Sequence, residues 1–330
     1  MNGQQEEENG QDGDSINCVL RPQRARACRT GMKFAIVTDS SADLAESYAA
    51  EQGIHVVPFY VSMDGVNYLK EGREIPVPDF YKAMIEQEDC YPKTSMPTIP
   101  DYLEEFRPLA QAGMPILCIC LTQKFSGSYQ SAVNASLALK DEFPGCSIQV
   151  IDSQLVTALQ GLFVSEAVRL RDSGLSLEEA VPLLEGIRSS GQIFFTTKDL
   201  KYLEHGGRLG KVASIAGSVL NLKPILRFEG GELGTAHVCR GRKKSLMKIV
   251  DDFFEYLREN DLDLSGYWFG TGIGADIPEY EEFCRDLEER FEATGIRPDD
   301  WVKVRIGATI GVHTGPYPMG LGILKKCEIK

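Results

Sequence analysis

The chain has 330 residues, 43% of them apolar, which is enough for a substantial core and a length that favours two domains. Its formal charge of −13 repels polyanions, so binding to nucleic acid or an acidic membrane would need a local basic patch working against the field of the whole molecule. The nine cysteines are scattered, odd in number and without a C-x-x-C pair, which argues against a disulfide or zinc framework, and no apolar stretch approaches the roughly 20 residues that span a bilayer.

Residues 1–31 are acidic and Gln/Asn-rich to position 14, then carry Arg21, Arg24, Arg26 and Arg29 with almost no apolar periodicity, and read as a disordered extension. Met32 stands directly before the first strand-like run and offers a second place for translation to begin. No basic start, apolar region and cleavage site follow one another at the N-terminus, so the expected location is the cytoplasm, where free thiols persist.

From residue 33, short apolar runs alternate with amphipathic stretches. Strands are expected at 33–38, 54–61, 115–121 and 147–152, and helices at 78–88, 100–112, 128–141 and 155–173. Such alternation predicts βαβ units and a mainly parallel, Rossmann-like sheet with flanking helices. Cys118 and Cys120 fall on one face of the third strand and read as core residues. The first strand ends in Thr38-Asp39-Ser40-Ser41-Ala42-Asp43, at the sheet edge where ligands of open α/β folds gather. The second half predicts an α/β domain with a mixed or antiparallel sheet: strands at 192–197, 225–228 and 233–238 with a hairpin turn at Gly230-Gly231, helices at 176–189, 211–220, 243–259 and 278–294, and later strands at Trp268 and Val302. The domains are expected over 32–185 and 186–330.

Three segments suit an anionic head group. Thr94-Ser95-Met96-Pro97-Thr98 holds adjacent hydroxyls between prolines, so they can be aimed at little ordering cost, although helix capping explains such a cluster equally. Phe125-Ser126-Gly127-Ser128 follows a buried-looking strand and opens a helix, which supplies free backbone N–H groups, a hydroxyl, and a glycine that lets a ligand approach the main chain. Gly311-Val312-His313-Thr314-Gly315-Pro316 places a histidine between glycines, with no second metal-type ligand at suitable spacing, so an anion donor is the better reading. Gly270-Thr-Gly-Ile-Gly-Ala275 formally fits G-x-G-x-x-A but lacks the acidic residue and the clear βαβ unit of a dinucleotide site. Ser126 and His313 with Asp39 would make a hydrolase triad, but a serine that only donates to an anion needs no base.

Together with Asp39-Ser40, Asp43-Leu44, Val57-Pro58, Asp152-Ser153, Tyr202-Leu203-x-x-Gly206-Gly207-Arg208 and Lys223-Pro224-Ile225, these motifs stand in the order and spacing of the DegV family, which the chain resembles over residues 32–330. The resemblance implies a two-domain α/β protein, not itself an enzyme and without a cofactor, that binds one long-chain fatty acid between its domains. In bacteria with a fatty-acid kinase it implies presentation of the acyl carboxylate to that kinase, which holds ATP. By motif, the carboxylate falls to Thr94, Ser95, Ser126, the Gly127 backbone and His313. The chain departs from the family pattern at Met96 (usually glutamine), Ser128 (commonly threonine) and Tyr317 (often glycine).

Burying a methylene is worth about 0.8 kcal/mol, so some fifteen carbons offer on the order of 10 kcal/mol before ordering costs. An apolar tunnel then supplies affinity, and neutral donors orient the carboxylate without quenching it as a nucleophile. Arg240-Gly241-Arg242-Lys243-Lys244 is the conspicuous basic run, and with Arg208 it forms the candidate face for a kinase partner or phosphate. The alternatives are a lipid-active serine hydrolase using Ser126 and His313, and a nucleotide-binding regulator.

Overall fold

The computed structural model describes residues 33–87, 90–198, 200–210, 222–296, 298 and 301–329. The extension 1–31, Met32 and the helix expected over 211–220 lie outside the described residues. The first strand, β1 (Ala35–Asp39), is buried throughout, and α1 (Glu46–Gln52) returns the chain to β2 (Ile54–Val57), parallel to β1. Pro58 has no N–H to continue that ladder. The single strand expected over 54–61 is therefore two: β3 (Tyr60–Ser62) leaves for a separate antiparallel sheet with β4 (Leu69–Lys70) and, beyond α2 (Val77–Glu86), β5 (Lys93–Ser95), in the order β4-β3-β5.

α3 (Ile99–Gln111) opens on a capping box in which Thr98 and Asp101 satisfy each other's backbone N–H. β6 (Ile116–Cys120), α4 (Ser128–Glu142), β7 (Ile148–Asp152), α5 (Thr157–Asp172) and α6 (Leu177–Ile187) follow. Strands β2-β1-β6-β7 make the expected all-parallel sheet. On one face Val37, Cys118 and Cys120 pack with Tyr102 and Phe106 of α3 and Ala132 and Ala135 of α4. The other face carries α5, whose sixteen residues include fourteen that are buried. A helix without a polar face must be enclosed. α5 is enclosed because it packs on β1 on one side and on the second sheet on the other.

That second sheet starts at β8 (Gln192–Thr196). After α7 (Lys201–His205) come β9 (Leu222–Glu229), β10 (Glu232–Arg240), α8 (Arg242–Glu259), β11 (Tyr267–Ile273), α9 (Ile277–Thr294), β12 (Trp301–Arg305), α10 (Ala308–Thr314) and β13 (Met319–Lys325). The order is β10-β9-β8-β13-β11-β12, with β11 and β12 parallel and every other pair antiparallel, the mixed sheet that was expected. Gly230 (φ 56°) and Gly231 (φ 87°) form the β9–β10 turn, as a two-residue hairpin with positive φ at both positions requires. α8 and α9 cover one face through Phe253, Phe254, Tyr280 and Phe291. The other face shares a core with α5.

The strand expected at Val302 is β12, which stops at Arg305; Thr309 and Ile310 belong to α10, so His313 sits in the last turn of a short helix. β13, with two glycines in its first four residues, gave no strand signal, yet it is central to the sheet. Among the described residues no helix is long and apolar enough to cross a membrane.

Candidate functional site

Asp39 ends β1 with its carboxylate wholly buried, and four groups donate to it: Ser41 Oγ (2.6 Å) and Gln160 Nε2 (2.8 Å) to Oδ1, and Ser128 Oγ (2.8 Å) and the Leu121 N–H (3.0 Å) to Oδ2. Burial nevertheless outweighs these donors and raises its pKa. The last two bonds fix the segment between β6 and α4 at both ends. Its middle is tied to the β9–β10 turn, since Thr122 Oγ1 donates to Gly231 O and Lys124 Nζ to Gly230 O, each at 2.9 Å. Ser126 and Gly127 are thereby held at the start of α4, where Ser126 Oγ accepts the Ser128 N–H at 3.2 Å and keeps its own proton to donate. A Cβ at Gly127 would lie 2.6 Å from Met96 Sδ, the end of an exposed side chain that can move aside.

Thr94 reaches the same place from β5, where its register opposite Val61 is set by the small antiparallel sheet. His313 reaches it from α10. Thr94 Oγ1 and His313 Nε2 are 3.2 Å apart. Burial, with Arg208 adding to it, lowers the imidazole pKa to about 4, so the ring is neutral at pH 7, and Nδ1 has no hydrogen-bond partner among the described residues. Arg208 itself is held by carbonyls: Nε and Nη2 donate to Phe125 O (3.1 and 3.0 Å) and Nη1 to Gly206 O (2.7 Å).

Thr94, Ser95, Ser126, Gly127, Arg208 and His313 all line one cavity of about 300 Å³. Ser95, Met96 and Gly127 are exposed, so the head-group end meets solvent. The remaining wall is chiefly apolar, with Phe59, Leu121, Phe125, Leu159, Phe195 and Phe228 among its members. Cavities of such size and lining hold small, largely apolar molecules oriented by a few polar groups.

The Ser126–His313–Asp39 triad is not assembled, because His313 bonds to Thr94 and Asp39 is committed to four other donors. The basic run is placed apart from Arg208: Arg242 opens α8, on the sheet face opposite α5, and pairs with Glu279 through two parallel bonds, Nε to Oε1 at 3.0 Å and Nη2 to Oε2 at 2.8 Å. Arg240 and Lys243 beside it are exposed. Sequence reasoning missed Glu71, which is 5% exposed and accepts Ser40 Oγ (2.5 Å), Thr309 Oγ1 (2.6 Å) and the Thr309 N–H (2.9 Å). In the sequence Glu71 stands in a polar, turn-like run, and nothing there marks it as buried. Among the described residues no group of three or more His, Cys, Asp or Glu side chains is arranged to hold a metal.

The chain is 36% identical to a stearic acid-binding protein from Eubacterium ventriosum, over 89% of this chain and 98% of that one, with a TM-score of 0.84. A Thermus thermophilus DegV family protein whose structure is described as fatty acid binding is 29% identical, over 89% and 100% of the two chains, with a TM-score of 0.76. A DegV domain-containing protein of Caldanaerobacter subterraneus subsp. tengcongensis is 35% identical, over 88% of this chain and 98% of its own length. A family model described as an uncharacterised protein of the DegV family matches residues 33–326, and the chain belongs to the DegV family.

Proposed function

We propose that this protein is a carrier of one long-chain fatty acid, with the tail in the cavity and the carboxylate at Thr94, Ser126, the Gly127 N–H and His313, and Ser95 at the rim. The observation that carries the reading is the convergence of hydroxyls from two distant segments and a neutral imidazole from a third at the open end of an apolar cavity. With its single proton on Nε2, His313 donates to Thr94 Oγ1 and leaves the threonine O–H for the ligand, so it acts on the carboxylate through Thr94. Neutral donors orient a carboxylate without pairing off its charge, which suits a group that must later attack phosphorus.

In the same reading the chain divides near residue 185 into two lobes with the lipid between them, and the exposed carboxylate is offered to a fatty-acid kinase. A carboxylate oxygen would attack the γ-phosphorus of ATP held by that partner, ADP would leave, and an acyl phosphate would remain. Binding by the similar proteins supports the lipid part of the proposal.

Titration of the delipidated protein with palmitate and with methyl palmitate tests it. We expect palmitate to bind at least tenfold more tightly, because the ester is a poorer acceptor for these donors. Equal affinity refutes the head-group assignment, and ester hydrolysis abolished by Ser126→Ala would establish the hydrolase instead.

A further inference from the structure

The first two glycines of the run that resembled a dinucleotide motif, Gly270 and Gly272, lie in β11, and their neighbours explain them differently. β11 pairs with β13 so that Gly270 stands opposite Gly322 and Gly272 opposite Gly320. Residues two apart share a face, so all four glycines look toward α5 while Phe269, Leu321 and Ile323 enter the core under α8 and α9. All four line the cavity. The next pair on that face, Trp268 with Leu324, is bulky, buried and outside the lining.

The two strands need glycine for different reasons. A Cβ on Gly320 would lie 2.7 Å from Phe194 O, and one on Gly322 2.7 Å from Gln192 O, so β8 is too close for a side chain at either. On β11 no such obstacle exists. A Cβ at Gly270 would meet Leu162 Cδ1 at 3.4 Å, an ordinary contact, and one at Gly272 would meet Ile306 Cγ1 at 3.3 Å, a tight contact that a shift of Ile306 by a few tenths of an ångström would relieve. Neither residue has a positive φ. Glycine inside a strand is unfavourable, and here neither packing nor backbone conformation demands it. What these two residues provide is cavity space beside α5 and Ile306, where a side chain would otherwise stand.

Their place in the strand order gives that space a role. The head-group segment stands over the β9–β10 hairpin, where the Phe125 and Phe228 rings are 5.8 Å apart, on the far side of β8 from β13 and β11. The lining takes Leu233 from β10, Phe228 from β9, Ile193 and Phe195 from β8, and then the glycines. At roughly 4.8 Å per strand, β10 to β11 spans about 19 Å. We propose that Gly270 and Gly272 set the length of acyl chain the cavity accepts, by leaving bare the floor under its methyl end, with Ile306 as the wall there. This rests on the fatty-acid reading above.

The test offers each delipidated protein an equimolar mixture of straight-chain acids from C12 to C20, then extracts and weighs what is bound. Gly270→Ala and Gly272→Ala should each move the preferred length down by one or two carbons, and Ile306→Ala should move it up by a similar amount. Because Ile306→Ala acts in the opposite sense, it decides the matter if the alanine variants fail to fold. An unchanged preference in the folded variants, with the parent still loaded, overturns the proposal alone. A parent protein that takes up no acid from the mixture overturns the fatty-acid reading itself.

Discussion

Thr157 Oγ1 donates to Asp43 Oδ2 at 2.5 Å across 114 positions of sequence, and both residues hold left-handed backbones, with φ of 46° and 50°. A β-branched residue in that region is strained. The hydroxyl that Thr157 brings is the partner of Oδ2 on a buried carboxyl whose Oδ1 has none among the described residues. Thr157→Val should therefore destabilise the protein by about 2 kcal/mol, while Thr157→Ser should be nearly neutral. Denaturant unfolding of the two variants checks this.

Asp43 and Glu71 face each other beside Gly307, where a Cβ would lie 2.5 Å from Asp43 Oδ1 and 2.6 Å from Glu71 Oε1. Burial raises both pKa values, and the Glu71 charge raises that of Asp43 further. Their contribution to stability is therefore complete below the pKa of an unfolded carboxyl and is lost as pH rises through the folded values. Asp43→Asn, whose amide can donate to Glu71, should flatten the decline in Tm between pH 5 and pH 8 and leave Tm at pH 8 equal or higher. A steeper decline would contradict the account.

His313 works in the opposite sense. Its folded pKa of about 4 lies below the ordinary 6.5, so below pH 6.5 the unfolded chain takes up the proton first and stability falls with pH until about pH 4. The full loss is on the order of 3 kcal/mol. His313→Gln should remove that acid-side slope, which parallel urea titrations at pH 4.5 and 7 would show.

At the head group, Thr94→Val and Ser126→Ala should each weaken palmitate binding roughly tenfold, as expected for one hydrogen bond to a charged group. The double variant should lose less than the product, because both donors serve one carboxylate. Calorimetric titration of the four proteins gives the comparison.

For docking to a kinase, Arg242 is a poor probe, since its pairing with Glu279 holds α8 to α9. Arg240→Glu with Lys243→Glu should leave palmitate affinity unchanged and lower acyl phosphate formation by a fatty-acid kinase severalfold. Unchanged formation would remove this surface from the proposal.

The parallel half was readable because its central strands, Ala35–Asp39 and Ile116–Cys120, are chiefly apolar runs buried on both faces. The small sheet carrying Thr94 was not, because strands of two or three residues have no period to detect. β13 escaped because glycine replaces the β-branched residues that mark a strand. Local chemistry pointed to Thr94, Ser126 and His313 one at a time, but their meeting is a tertiary fact. Gly270 and Gly272 were noticed for a motif and matter for the side chains they omit.

The central claim is that a hydrocarbon tail fills the cavity and leaves its acid end at Thr94 and Ser126. The most direct measurement is a structure of the protein loaded with palmitate. The account predicts carboxylate oxygens within hydrogen-bond distance of Thr94 Oγ1 and Ser126 Oγ, with the methyl end above Gly270 and Gly272. A lipid lying in the reverse sense, or bound outside this cavity, would contradict it.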